Sequence, residues 1–378
     1  MKNKDQNIAT IAVHAGLNDT TGITDVTSPI HLSTTFQRNN DGSHSDFTYT
    51  RINNPNREAV EKKIAAIEGS ATAIAFSSGL AAINSLFENI LEPGSHVIIP
   101  DDCYHGTRNL LAVFFKRWKV EFEEADMTDV SKIMKLIRPD TKLIMIETPS
   151  NPQLKITDIS AVAVLAKEHS IITVCDNTFA TPLLQKPLEM GIDYVMYSST
   201  KFFSGHSDIL GGIITTNHIS ELSDRIREYQ KTAGAVPSPF DCWLLNRSLA
   251  TLPLRFPVQC GNAQKIAEFL KAHSKIEKVF YPGLDSHPDH EVAIKQMTNG
   301  FGSIVSVLIR GDKKDAFTFT SRLAIFKHAT SLGGVESLVE HRRSAEGNHP
   351  VSQDNLIRIS VGIEYVDDLI EDLRQALG

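Results

Sequence analysis

Lys201 stands in the run "YSSTKFFSGH" (Tyr197 to His206), a single amine among small hydroxyl residues and two phenylalanines. Most lysines of globular proteins are solvated surface charges, so its company decides whether this one does chemistry. Three short apolar runs finish in polar residues: "KLIMIETPSNP" at Glu147, Thr148 and Asn151, "IITVCDNTFATP" at Asp176, Asn177 and Thr178, and "DYVMYSSTK" at Ser198, Thr200 and Lys201. An amine, a carboxylate and several phosphate donors at the mouth of one sheet match the needs of pyridoxal phosphate. Lys201 would form the Schiff base. Asp176 would hold the ring nitrogen protonated, so that the ring acts as an electron sink. Ser198 and Thr200 can reach phosphate oxygens, and "SSGLAA" (77–82) supplies the amides of Gly79 and Leu80 at the start of a helix whose positive end attracts an anion. Phe202 and Phe203, as apolar neighbours, are expected to disfavour the ammonium form and lower the Lys201 pKa.

The elements that must position these groups are legible in the same chain. "NPNREAVEKKIAAIEG" has Asn54 as a helix cap, Pro55 in the first turn, Val60, Ile64 and Ile67 at helical spacing, and Gly69 as the stop. Apolar runs at 72–76, 96–100, 120–125, 142–148, 171–176 and 193–198 read as buried strands, with helical patterns such as "GLAAINSLFENI" and "DISAVAVLAKEH" between them. Alternating strand and helix calls for a mainly parallel sheet covered on both faces, with ligands outside the carboxyl ends of its strands. A helix through the 240s, "FDCWLLNRSLATLPLRF", reads as a hinge into a second unit with strands at 303–309 and 356–363 and a closing helix "DDLIEDLRQAL". The expected organisation is an N-terminal arm (1–50), a large cofactor domain (51–245) and a small C-terminal α+β domain (246–378).

Composition excludes other classes. The 378 residues carry a net charge of -7, with a pI near 6.1 and no dense Lys/Arg run, which gives no field for a nucleic-acid backbone. No apolar run approaches a membrane span, and "MKNKDQNIAT" lacks the apolar stretch of a secretion signal, so the expectation is a cytoplasmic protein. Cys103, Cys175, Cys242 and Cys260 show no C-x-x-C spacing and read as reduced, buried thiols.

The chain resembles the Cys/Met metabolism family of pyridoxal-phosphate enzymes, the cystathionine γ-synthase and γ-lyase group. "DYVMYSSTKFFSGHSD" follows that family's lysine signature, and "YTRINNPNR", "FSSGLAA", "ETPSNP", "DNTFATP" and "SLGGVESL" occur in the family's order, covering nearly all of the chain from about Ala12. The resemblance implies an α/β fold of the fold-type I transferase kind, with a mainly parallel seven-stranded sheet and a smaller C-terminal domain. It makes Lys201 the covalent anchor and proton shuttle, Asp176 the ring-nitrogen partner, and Ser198, Thr200, Thr178, Asn151, Gly79 and Leu80 cofactor ligands. It makes Tyr104 ("DDCYHGTR") the stacking residue and a proton exchanger. Tyr49 and Arg51 would reach the phosphate of a neighbouring subunit and Tyr49 would join the catalytic set, which implies a homotetramer built from two active dimers. Arg358 would clamp the α-carboxylate of an amino-acid substrate, with Asn151 and Ser331 beside it.

The implied reaction is γ-replacement or γ-elimination at a sulfur amino acid, with cystathionine β-lyase and methionine γ-lyase chemistry as alternatives. Thr330 stands before "SLGG" where many members carry glutamate, the tryptophan common in bacterial β-lyases is missing there, and Thr107 replaces the cysteine usual in methionine γ-lyases. "EHRRSAEGNHP" also departs from the family's usual stretch and is expected to reshape the substrate entrance. Three rival readings lose ground. Tyr197 and Lys201 have the Y-x-x-x-K spacing of short-chain dehydrogenases, but no glycine-rich dinucleotide turn precedes them. His287, His290, His341 and His349 lack the helical pairing or cysteine partners of a metal site, so no metal is expected. A catalytically silent binding scaffold would be expected to lose Lys201 or Asp176, and both are present.

Overall fold

Strands of the large sheet show why the helices must lie on both of its faces. In β1 (Thr72–Phe76), Ala73 and Ala75 join one apolar cluster while Ile74 and Phe76 join another on the opposite side. The same alternation runs through β2 (His96–Pro100), β4 (Thr141–Glu147), β5 (Ile172–Asp176), β6 (Tyr194–Tyr197) and β7 (Gly212–Thr216). With side chains alternating across the pleat, burial on both faces demands two helical layers. The helices Pro55–Glu68 and Ile159–Glu168 cover one face, and Gly79–Ile90 and Glu221–Thr232 pack on the other. The coordinates, a computed structural model, describe residues 6–17, 25–346 and 350–378.

With β3 (Glu121–Ala125) the large sheet has seven strands in the order β1-β7-β6-β5-β4-β2-β3. Only β7 is reversed: it pairs antiparallel with both β1 and β6, while the remaining pairs are parallel. The carboxyl ends of the other six therefore open on one side. β7, "GIITT", is the strand that periodicity does not reveal, since its short run lies between the glycines and loop residues after Lys201 and a polar helix.

Local signals for the first long helix hold. The Asn54 side chain accepts from the Asn56 amide, Pro55 opens the helix, and Gly69 ends it in the left-handed region at φ 79°. Among the described residues of the polar first fifty there is one short helix, Ile8–His14, and a bridge between Thr35 and Tyr49. The helix expected through the 240s is two helices, Pro239–Leu249 and Leu252–Lys271, joined at Ala250 and Thr251. Pro253 sits in the first turn of the second, where its missing amide costs nothing.

The second unit is a five-stranded sheet in the order β10-β11-β12-β9-β8: β8 (Ile276–Phe280), β9 (Ile304–Ile309), β10 (Lys327–His328), β11 (Leu338–His341) and β12 (Leu356–Ser360). The helices Leu252–Lys271, Lys313–Arg322 and Val366–Leu377 close its own apolar core. β11 and β12 are antiparallel, and their register sets Glu340 directly opposite Arg358. All four cysteines are buried and free. No helix among the described residues is long and apolar enough to cross a membrane.

Candidate active site

The carboxyl ends of the strands, together with residues of β11, β12 and the loop after β10, enclose a cleft of about 590 Å³. Its walls bring together Gly79, Leu80, Tyr104, Asn151, Asp176, Thr178, Ser198, Thr200, Lys201, Ser331 and Arg358, so eleven residues scattered from 79 to 358 meet in one place. Tyr49 and Arg51 do not line it. Tyr49 is 37% exposed, and Arg51 donates to the Lys231 carbonyl at 2.9 Å with its guanidinium 5.7 Å from the Tyr49 ring.

Lys201 follows β6 on a turn whose carbonyls are held from the second unit. Buried Arg255 donates to the Phe202 carbonyl at 3.2 Å and to the Ser248 carbonyl at 3.1 Å. Gly205 makes this approach feasible: its φ is +67°, and a Cβ there would lie 2.0 Å from Arg255 Nη1. The Lys201 Nζ donates to Ser331 Oγ at 2.8 Å. Ser331 sits at φ 96°, a left-handed conformation that L-residues rarely adopt and that collects at functional sites. Burial pushes the Lys201 ammonium down to about 8, and Arg358 pushes the same way. The direction is the one expected from the sequence, and the two phenylalanines lie behind the cleft wall. Phe202 packs on Phe256 and Phe203 on Tyr197, both inside the core and neither on the cleft wall. The apolar pair secures the turn, and the amine loses water to the whole cleft.

Asp176 ends β5, and its Oδ1 accepts the Thr178 amide at 2.9 Å. The Thr178 hydroxyl in turn accepts the Ser198 amide at 2.9 Å, tying the ends of β5 and β6 together. Glu147, at the end of β4, is the in-register neighbour of Asp176. Two buried carboxyls side by side resist joint ionisation. Burial raises Asp176 to about 6, while burial and then the Asp176 charge raise Glu147 well above the usual carboxylate range. A cation beside Asp176 would relieve it, and a protonated ring nitrogen is such a cation. Glu147 Oε2 accepts the Tyr104 amide at 2.9 Å, which fixes the start of the turn that carries the Tyr104 ring. Gly106 leaves room for that ring, because a Cβ there would fall 2.3 Å from Tyr104 Cε1.

The phosphate side of the cleft is equally specific. Ser78 caps the helix Gly79–Ile90 by accepting the Ala81 amide, leaving Gly79 and Leu80 at its positive end. A Cβ on Gly79 would come within 3.2 Å of Ser198 Cβ and Oγ, so a larger residue would crowd the cradle. The Thr200 hydroxyl accepts the Gly211 amide at 3.0 Å and faces the same cleft. Amine, carboxylate and anion cradle thus have the chemistry that pyridoxal phosphate requires.

The model of one protein family matches residues 9–378. This chain belongs to that family, the Cys/Met metabolism PLP-dependent enzymes. The cystathionine gamma-synthase of Mycobacterium tuberculosis (strain H37Rv) is 45% identical over 376 residues, 98% of this chain and 96% of that protein. The cystathionine beta-lyase of Coxiella burnetii is 40% identical over 384 residues, 99% of each chain. Among solved structures, metB from Corynebacterium glutamicum matches with a TM-score of 0.97 and 41% identity, covering 100% of this chain and 99% of that one. The chain is therefore a PLP-dependent transsulfuration enzyme of the cystathionine γ-synthase/lyase type.

Sequence reasoning missed several groups of this Cys/Met enzyme's cleft. Arg358 Nη1 donates to Asn151 Oδ1 at 2.9 Å and its Nη2 to Glu340 Oε2 at 2.7 Å, while Arg342 pairs with the same Glu340 oxygen. Burial alone would raise the Glu340 carboxyl, but Arg358 and Arg342 overcome it and hold it below the ordinary value. His105 also lines the cleft, pushed down by burial and by Arg342. Thr330 lines it too, so the departure before "SLGG" falls in the site itself. The odd segment after Val339 was the one sequence clue to Glu340 and Arg342. Among the described residues no three His, Cys, Asp or Glu side chains gather as metal ligands, and His349 lies outside those residues.

Proposed function

We propose that this enzyme performs γ-replacement or γ-elimination on a sulfur amino acid, as a cystathionine γ-synthase or γ-lyase. The observation that carries the reading is the Lys201 amine, half-buried near Arg358 and held by the Ser331 hydroxyl, with its pKa lowered to about 8. When bound, the cofactor supplies an electron sink for a carbanion at the substrate α-carbon. Lys201 takes the α-proton and, held by the Ser331 hydroxyl, can give that proton up and then take a second one from the neighbouring β-carbon, as departure of a γ-substituent requires. Arg358, aligned by Asn151, orients the α-carboxylate. Tyr104 stacks on the ring and exchanges protons with substrate. Asp176 holds the ring nitrogen, and Gly79, Leu80, Thr178, Ser198 and Thr200 hold or border the phosphate. Tyr49 and Arg51 complete the phosphate site of a neighbouring copy, which makes the working form a homotetramer of two active dimers in the cytoplasm. The arm, large domain and small domain divide at 50/51 and 245/246; a division at 250/251 would keep the helix Pro239–Leu249 whole.

A β-lyase reading is the second candidate, favoured by relatives with that name that span almost the whole chain. Purified protein is assayed with cystathionine and with acylated homoserines plus cysteine. Release of 2-oxobutyrate or formation of cystathionine is expected; pyruvate from cystathionine without 2-oxobutyrate would overturn the γ assignment. Lys201→Ala should abolish both turnover and the yellow absorbance of lysine-bound cofactor.

A further inference from the structure

Glu340 serves two guanidiniums with one carboxylate. It lies opposite Arg358 across the antiparallel β11–β12 pair, and Arg342, two residues on, reaches the same Oε2. The Arg342 and Glu340 side chains are 4% and 6% exposed, and that of Arg358 is 4% exposed. The trio therefore holds one uncompensated positive charge away from water, which is costly unless a ligand matches it. Arg342 lines the cleft with its Nε buried and without a hydrogen-bond partner. His105 lines the same cleft with Nδ1 also unpartnered. Arg358 is committed to Asn151 and to the Ser331 carbonyl, where an α-carboxylate would dock. An α-carboxylate on Arg358 answers the excess charge for any amino acid, but it leaves the buried Arg342 Nε without an acceptor, which a carboxylate at the end of the substrate tail would supply.

We propose that Arg342 is a specificity-determining residue that reads a carboxylate at the far end of the substrate side chain, while Arg358 reads the α-carboxylate. This rests on the proposed roles of Lys201 and Arg358 and adds a second anion subsite to them. A guanidinium presents five donors, and Arg342 spends one on Glu340, so the unused edge suits a planar carboxylate. Arg342 belongs to the stretch in which this sequence departs from the usual family pattern, so the preference would be a property of this chain and its close kin.

Two probes isolate the tail charge: L-2-aminoadipate and L-norleucine have side chains of equal length, and neither has a leaving group. The holoenzyme is titrated with each, following the absorbance of the bound cofactor, in wild type, Arg342→Gln and Arg342→Lys. Wild type should bind L-2-aminoadipate roughly 10- to 100-fold more tightly than L-norleucine, the range for a charge-assisted hydrogen bond in a buried site. Arg342→Gln should erase the preference, and Arg342→Lys should keep part of it. Equal binding of the two probes by wild type, or a preference that survives Arg342→Gln, would overturn the proposal. Should Arg342→Gln not fold, an unweakened preference in Arg342→Lys would count against the bidentate reading. Loss of the cofactor absorbance in wild type itself would instead refute the reading of Lys201, so the two failures are distinguishable.

Discussion

Glu340→Gln removes the carboxylate that Arg342 and Arg358 share, and so tests whether that cluster is assembled as described. Neither side chain can reach water easily, since both are 4% exposed. Removing one partner of a buried ion pair costs about 3–5 kcal/mol, because the remaining charge stays desolvated. Here two like charges would remain close together, which places the expected cost at the upper end. Unfolding entropy of about 2.1 cal/mol/K per residue turns that loss into a fall in melting midpoint of about 4–6 °C for a chain of this size. The measurement is thermal unfolding of cofactor-loaded wild type and variant, across pH. Glu340 has a folded pKa below its unfolded one, so its contribution is complete above the unfolded value and is lost as pH falls through the folded value. The difference between wild type and variant should therefore be full at neutral pH and shrink once the medium is more acidic than about pH 4.3. A midpoint within about 1 °C of wild type at neutral pH would show that the pair carries no such energy and would refute the cluster.

Glu68 lies beneath the site, where the Tyr197 hydroxyl donates to its Oε2 at 2.5 Å and Asn177 Nδ2 donates to that hydroxyl at 2.9 Å. Burial raises its carboxyl to about 8, so its favourable contribution is complete below the unfolded pKa and is lost as pH rises through about 8. Glu68→Gln should flatten the fall in stability between about pH 4.3 and 8 in a urea-unfolding profile, with a gain of at most about 5 kcal/mol above pH 8; an unchanged fall would place the loss elsewhere. For the shared site, Lys201→Ala and Arg51→Gln chains are unfolded and refolded together in equal amounts. A cofactor site built from Lys201 of one chain and Arg51 of its two-fold partner should recover about a quarter of wild-type activity in the mixture. Recovery no better than the average of the two separate variants would put Arg51 in its own chain's site or in none.

The sequence by itself determined the cofactor chemistry and most of the large domain. Signals for these are local: strands buried on both faces announce themselves as continuous apolar runs, as at "HVIIP", and their polar ends mark where ligands gather. Capping at Asn54 and Gly69 was equally readable, since caps depend on neighbours within a turn. Tertiary structure alone decided the rest. Reversed β7 earns its place by pairing with β1 and β6, not by any pattern of its own. Phe202 and Phe203, next to Lys201 in sequence, turn into the core, because adjacent residues on a turn need not share a direction. In the sequence Glu147 is one polar residue among several at the strand ends; its register places it beside Asp176, with its carboxylate accepting the Tyr104 amide. Glu340, Arg342 and Arg358 became one charge cluster only through the antiparallel register of β11 and β12. Coulomb and desolvation energies depend on distance and burial in space, and separation along a chain specifies neither.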